Sequence, residues 1–117
     1  MNKRAVGSAY EAEVAHILEG YGYRILERNY RNRRGEIDLI ALHQGCLVFI
    51  EVKYRKNESR GWPSQAVNPK KQRVICRVAD YYYMTHGQYE NADIRFDVVS
   101  ILGSKIRIYQ NAFEYRR

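Results

Sequence analysis

Cysteine is scarce: Cys46 and Cys76 are the only two. They build neither a metal-ligand spacing nor a disulfide framework, so they read as free thiols of a reducing compartment. No run approaches the roughly 20 apolar residues that a membrane span needs. The opening "MNKRAVGSAYEAEVAHILEG" carries acids and a helical pattern in place of a signal peptide's apolar stretch. The expectation is a soluble cytoplasmic protein with no membrane partner. A phosphate-cradling glycine motif is missing, which argues against a nucleoside triphosphatase. His16, His43 and His86 are scattered with no HExxH-type pattern, and read as surface residues. Ser8, Ser59, Ser64 and Ser100 stand outside any nucleophile-elbow context. Repeats, low-complexity segments and linkers are absent too, so residues 1–117 are expected to form one domain around one core.

Acids are outnumbered. Twenty Lys and Arg face 13 Asp and Glu, giving a formal net charge of +7. A basic balance favours polyanionic partners, because contacts to phosphates release counterions. The arginines cluster in "RNYRNRR", Arg28 to Arg34, with "KYRK" and "NPKKQR" further on. Eleven tyrosines are many for this length. Exposed ones could stack on bases.

The periodicity predicts a helix over about Ala5 to Tyr21, with Val6, Ala9, Tyr10, Val14, Ile17, Leu18 and Tyr21 at i, i+3, i+4 spacing. Gly20 and Gly22 close it. A first strand over Tyr23 to Glu27 follows, and "RNRRG" reads as a loop. "EIDLIALH" and "CLVFIEVKYR" read as strands joined by Gln44-Gly45, so a hairpin is the economical connection. Their nearly continuous apolar character implies a sheet covered on both faces. "KNESRGWPSQAVN" is a loop. Asn68 at the cap and Pro69 at the first helical position start a second helix running to Gly87. "ADIRFDVVSILG" is a further strand, and "KIRIYQNAF" a last short one. The fold class is therefore α/β, in the order α-β-β-β-α-β with a final strand, as a mixed central sheet flanked by helices.

Acids interrupt the apolar strands. If His43 faces Cys46 across a two-residue turn, Asp38 lies opposite Glu51 and Glu36 opposite Lys53. Directly opposed residues share a face, with Cβ atoms about 5 Å apart, and Glu51 and Lys53 share one by the strand period. Opposed like charges are destabilising, and in a half-buried site one carboxylate is driven towards protonation. A hard divalent cation removes that problem: Mg2+ takes oxygen ligands, one or two carboxylates together with water and phosphate oxygens. Lys53 adds a donor and a positive charge beside it. The plain alternative is a Glu51–Lys53 ion pair on the strand face, with Asp38 paired to an arginine. Glu36 is open in the same way, as a ligand or as a partner of Lys53 or of a loop arginine.

"GEIDLIA…LVFIEVKYR" resembles the Asp…Glu-x-Lys motif of the restriction-endonuclease-like superfamily, written PD-(D/E)xK. More narrowly, the chain is similar to the YraN-like family, small bacterial relatives of archaeal Holliday junction resolvases. "GSAYEAEVAHILEGYGYRILERNYR" looks like that family's first helix and strand, "NPKKQRVICRVADYY" like its second helix, and "RFDVVSI" like the strand after it. The resemblance implies a restriction-endonuclease-like core. It places metal ligands at Asp38 and Glu51, the catalytic lysine at Lys53 and a first-helix acid at Glu11. Helical periodicity does not select Glu11; at about 100° per residue Glu13 lies nearer the apolar stripe and Glu11 at its edge, a place that suits a residue leaning over a sheet, against the alternative of a solvated helix face. Lys71 matches the family's basic residue early in the second helix, against the alternative of a plain surface lysine.

The implied function is a Mg2+- or Mn2+-dependent endonuclease acting on DNA, on branched or repair and recombination intermediates. Arg28, Arg31, Arg33, Arg34, Arg55, Lys56 and Lys71 would track phosphates without reading sequence. A homodimer would place two sites on two strands. The rival is a nucleic-acid-binding accessory module without turnover. Asp97 reads as structural, at a sheet end. Trp62 reads as a loop anchor or a base-stacking residue.

Overall fold

The computed structural model describes residues 3–56 and 61–116, with side chains described from Glu11 onward. The elements are α1 (Lys3–Gly20), β1 (Arg24–Asn32), β2 (Gly35–His43), β3 (Cys46–Arg55), α2 (Pro69–Thr85), β4 (Asp93–Leu102) and β5 (Lys105–Phe113). The architecture is α/β in the expected order. The strands form one sheet, β1-β2-β3-β4-β5, in which only β3 and β4 run parallel. That parallel step requires a crossover, which α2 supplies.

The sheet is apolar on both faces because each face carries a helix. On one face Val14, Ala15 and Leu18 of α1 bury against Leu39, Ala41, Val48, Ile50 and Val99. On the other, Ile75, Val78, Ala79 and Tyr82 of α2 bury against Ile40, Leu47, Phe49, Phe96 and Val98. The alternation along β3 and β4 assigns successive residues to opposite cores, as the two-residue period demands.

Local chemistry sets the ends of the elements. Gly22 has φ +90°, and Tyr23 N–H donates to Leu18 O at 3.1 Å while Gly22 N–H donates to Glu19 O at 3.1 Å. This is a Schellman termination, and it leaves Tyr21 exposed beyond the apolar stripe. The Asn68 side chain accepts the Lys71 N–H at 2.8 Å and caps α2. At the hairpin, Gln44 (φ 51°) and Gly45 (φ 78°) both occupy the left-handed region, as a type I′ turn requires.

Two expectations change. β1 runs through Asn32, so Arg28 and Arg31 lie on a strand and only Arg33 and Arg34 occupy the turn. An edge strand tolerates such a polar sequence, because its outer side faces solvent. His43 is buried, 6% exposed, and not a surface residue; its ring stacks on Tyr23 with centroids 4.0 Å apart. Among the described residues, no helix is long and apolar enough to cross a membrane.

Candidate metal and phosphate site

The hairpin register runs from His43↔Cys46 to Leu39↔Ile50 and stops there. Beyond it β2 stays with β1, through Tyr30↔Ile37 and Asn32↔Gly35. β3 stays with β4, through Glu51↔Val98 to Arg55↔Leu102. The sheet therefore forks. The residue in the fork is Asp38, whose Oδ2 accepts the Val52 N–H at 2.7 Å in place of a backbone carbonyl. β2 also rotates here: Leu39 lies in the α1 core, yet Ile37, two residues away, lies in the α2 core. Gly35 makes the close approach of β2 to α2 possible, since a Cβ there would stand 2.7 Å from Val74 Cγ1.

The fork opens Asp38 to both helices. From α1, the Glu11 carboxyl lies against Asp38, and its Oε2 is buried with no hydrogen-bond partner among the described residues. Glu13 points to solvent. From α2, Lys71 Nζ bonds Glu51 Oε1 at 2.7 Å, with the Glu51 side chain only 10% exposed. Lys53 Nζ donates to the backbone carbonyls of Ser64, at 2.6 Å, and Ala66.

The electrostatics follow from the crowding of acids. Burial, then the charges of Glu51 and Glu11, push the Asp38 carboxyl up to about 7, against the opposing pull of the Val52 N–H and Lys71. Burial likewise raises Glu11, with Glu36 and Glu51 adding to it while the bond to Asp38 and the charge of Arg28 oppose. Burial lowers Lys53, helped by the charges of Lys71 and Arg55 and opposed by Glu51. For Lys71, burial pulls down, but the bond to Glu51 and the charges of Glu51, Asp38 and Glu36 outweigh it and raise the ammonium.

Three buried or half-buried carboxylates with hard oxygen donors and one orphaned oxygen suit a hard divalent cation. Among the described residues, no three Asp, Glu, His or Cys side chains already surround one point. Glu51 is turned to Lys71, so ligation by Glu11, Asp38 and Glu51 together requires side-chain rotation.

The sequence profile of the uncharacterised protein family UPF0102 matches residues 10–101. The chain belongs to this family. It is 47% identical to a UPF0102 protein of Lachnoclostridium phytofermentans over 97% of each chain. It is 42% identical to one of Fusobacterium nucleatum, over 95% of this chain and 92% of the relative. A relative in Symbiobacterium thermophilum is 45% identical over 94% of this chain and 97% of its own length. The UPF0102 match spans Glu11, Asp38, Glu51, Lys53 and Lys71, the five side chains of the fork.

In this UPF0102 chain the hairpin reasoning holds only as far as Leu39 and Ile50. Glu36 does not face Lys53; it stays with β1, exposed, and bonds Arg31 at 2.8 Å. Arg31 is thereby an ion-paired residue, and Lys71 is a partner of Glu51 and not a plain surface lysine. Arg28, Arg33, Arg34 and Lys56 are exposed, and Arg55 is half-buried at the end of β3. Trp62 lies under the Arg107 guanidinium, 4.0 Å from its Cζ, which anchors the loop.

Asp97, read from the sequence as structural at a sheet end, lies mid-strand opposite Ile50, and sequence reasoning missed the polar cluster around it. Asp97, fully buried, accepts from Tyr23 Oη at 2.8 Å, from Arg95 Nε and a terminal guanidinium nitrogen at 2.8 Å each, and from Asn111 N–H at 2.9 Å. Arg95 also bonds His43 Nδ1 at 2.9 Å. The spacing Arg95-x-Asp97 was the available signal, since it puts both on one strand face. The loop carbonyls that hold Lys53 carry no side-chain signal at all.

Proposed function

We propose that this chain is a divalent-metal-dependent endonuclease that hydrolyses DNA phosphodiester bonds, built on a restriction-endonuclease-like core. The observation that carries the reading is the fork: Glu11, Asp38 and Glu51 at one opening, with Lys53 beside them. Buried acids facing one another cost stability, and such perturbed groups concentrate at functional sites. Asp38 and Glu51 would hold Mg2+ or Mn2+, with Glu11 bound directly or through water. The ion would polarise a phosphate and lower the pKa of a bound water. The Lys53 ammonium stabilises negative charge developing on the phosphoryl oxygens and orients the attacking water. Lys71 brings a second cation to the same opening.

Strand directions support a nucleic-acid substrate. The β1–β2 turn with Arg33 and Arg34, the end of β3 with Arg55 and Lys56, the start of α2 with Lys70, and the start of β5 with Lys105 all lie at the forked end of the sheet. Contacts of this kind position a phosphate backbone without reading its sequence. Branched repair or recombination intermediates suit such a site, and a two-fold dimer would present two of them to two strands.

A non-catalytic nucleic-acid-binding module is the second reading. The Lys71–Glu51 bond favours it, because one proposed ligand already has a cationic partner. Cleavage of plasmid and branched DNA with Mg2+ or Mn2+, wild type beside Asp38→Ala, separates the two. The nuclease reading expects cutting by wild type alone. Equal cutting by Asp38→Ala overturns the site, and binding without cutting under either ion leaves the module.

A further inference from the structure

The segment from Gly61 to Val67 has no regular structure, yet it is fastened to the sheet at two points. Trp62 lies against Arg107 of β5. The carbonyls of Ser64 and Ala66 lie on the Lys53 ammonium of β3. The sheet register explains the span. Lys53 pairs with Ser100 of β4, and Ser100 pairs with Arg107 of β5. These three residues form one row across three strands, on the face that α2 covers, and the segment crosses that row as a strap. Ser100, in the middle of the row, is fully buried with its hydroxyl unpartnered among the described residues. Pro63 is buried as well.

The strap is itself held. Ser64 Oγ accepts the Ala66 N–H at 3.0 Å, which fixes the bend carrying the two carbonyls. Val67 is buried in the α2 core, and its carbonyl accepts from Gln72 Nε2 at 2.7 Å. A lysine is a flexible stem with a mobile point charge. Two carbonyls fix two of the ammonium's three N–H bonds and so direct the third. Being neutral, they hold the ammonium without cancelling its charge, as a carboxylate would.

We propose that Gly61–Val67 is a strap that seats the Lys53 ammonium, with Trp62 and Arg107 as positioning residues that clamp its far end. The catalytic meaning of that seat rests on the nuclease reading above; the seat itself does not. The test uses the full chain in four forms: wild type, Arg107→Ala, Arg107→Lys and Trp62→Ala. Lys53 acylation by a water-soluble amine-reactive ester is followed by mass spectrometry, with exposed Lys70 as internal reference. Arg107→Ala and Trp62→Ala should raise Lys53 labelling about two- to fivefold, the range that loss of one cation–π contact produces. Arg107→Lys, which keeps the cation, should restore most of the protection. On plasmid DNA with Mn2+, the two alanine variants should lower kcat by a similar factor with KM unchanged. Lys53 labelling that stays at the wild-type level in both alanine variants overturns the strap. Raised labelling with unchanged kcat overturns the positioning role. A wild type that cuts no DNA overturns the nuclease reading instead, and the labelling result still decides the strap.

Discussion

Asp97 is buried and Asp38 half-buried in the same sheet, and they have opposite surroundings. Asp97 is fully buried and has a phenol, a bidentate guanidinium and a backbone N–H on its two oxygens. Asp38 has one backbone N–H and faces two further carboxyls, with Lys71 as a more distant cation. A buried charge is tolerable when its hydrogen-bonding capacity is filled, and costly when it is not. The Asp97 cluster ties β4 to the chain after α1 and to β5. The Asp38 cluster is chemically incomplete, and the cation of the proposed function is what would complete it.

The comparison can be broken most forcefully at the filled end. Asp97→Ala leaves the Arg95 guanidinium without its carboxylate, and should cost about 3–5 kcal/mol, the range for breaking a buried pair; urea unfolding at neutral pH measures it. A loss below 1 kcal/mol would mean that the Asp97 cluster is not a structural tie. Tyr23→Phe removes the bond donated to Asp97 and the one accepted from Arg95, and should cost at least about 1.5–3 kcal/mol, the range for a single bond to a charged group. Burial, then the bond to Asp97, push the Tyr23 phenol up to about 12. A raised phenol contributes stability that is complete below the unfolded value near 10 and is lost as pH rises through 12. Wild type should therefore lose more stability than Tyr23→Phe between those limits.

Asp38→Asn sharpens the contrast, because its sign is reversed. The folded carboxyl titrates near 7, far above its ordinary value of 3.8. Its contribution to folding is complete below the unfolded value and is lost as pH rises through 7. The amide keeps an acceptor for the Val52 N–H and carries no charge. Asp38→Asn should therefore be more stable than wild type at pH 8, by about 1–2 kcal/mol, and should match it near pH 4. Mn2+ should raise the melting temperature of wild type and leave that of the variant unchanged; an equal rise in both would place the ion elsewhere. The smallest effect belongs to Ser100→Ala. Removing a buried hydroxyl that has no partner among the described residues should be neutral or stabilising by up to about 1 kcal/mol, and a loss above 1 kcal/mol in urea unfolding would reveal a hidden bond.

Much of this was readable in the chain. Gln44-Gly45 set the hairpin and its register near the turn, because a two-residue type I′ turn admits little choice. Asn68-Pro69 marked the start of α2 through cap chemistry alone. Counting outward from the turn failed at Asp38, which does not pair with Glu51, and again at Glu36, which does not pair with Lys53, because counting assumes that pairing continues, and pairing past Leu39 is decided by β1 and β4 competing for the two strands. His43 looked like a surface residue because its partners, Tyr23 and Arg95, are distant in sequence.

By itself the sequence determined the order of elements, the two-sided sheet and which acids and lysine stand on β2 and β3. Those properties depend on periodicity and turn chemistry, which act over a few residues. Only the tertiary structure decided that β2 and β3 part at Asp38, that Glu11 and Lys71 reach one opening from opposite faces, and that loop carbonyls hold Lys53. Each of these is a contact between segments far apart along the chain, set by how helices and strands pack in three dimensions.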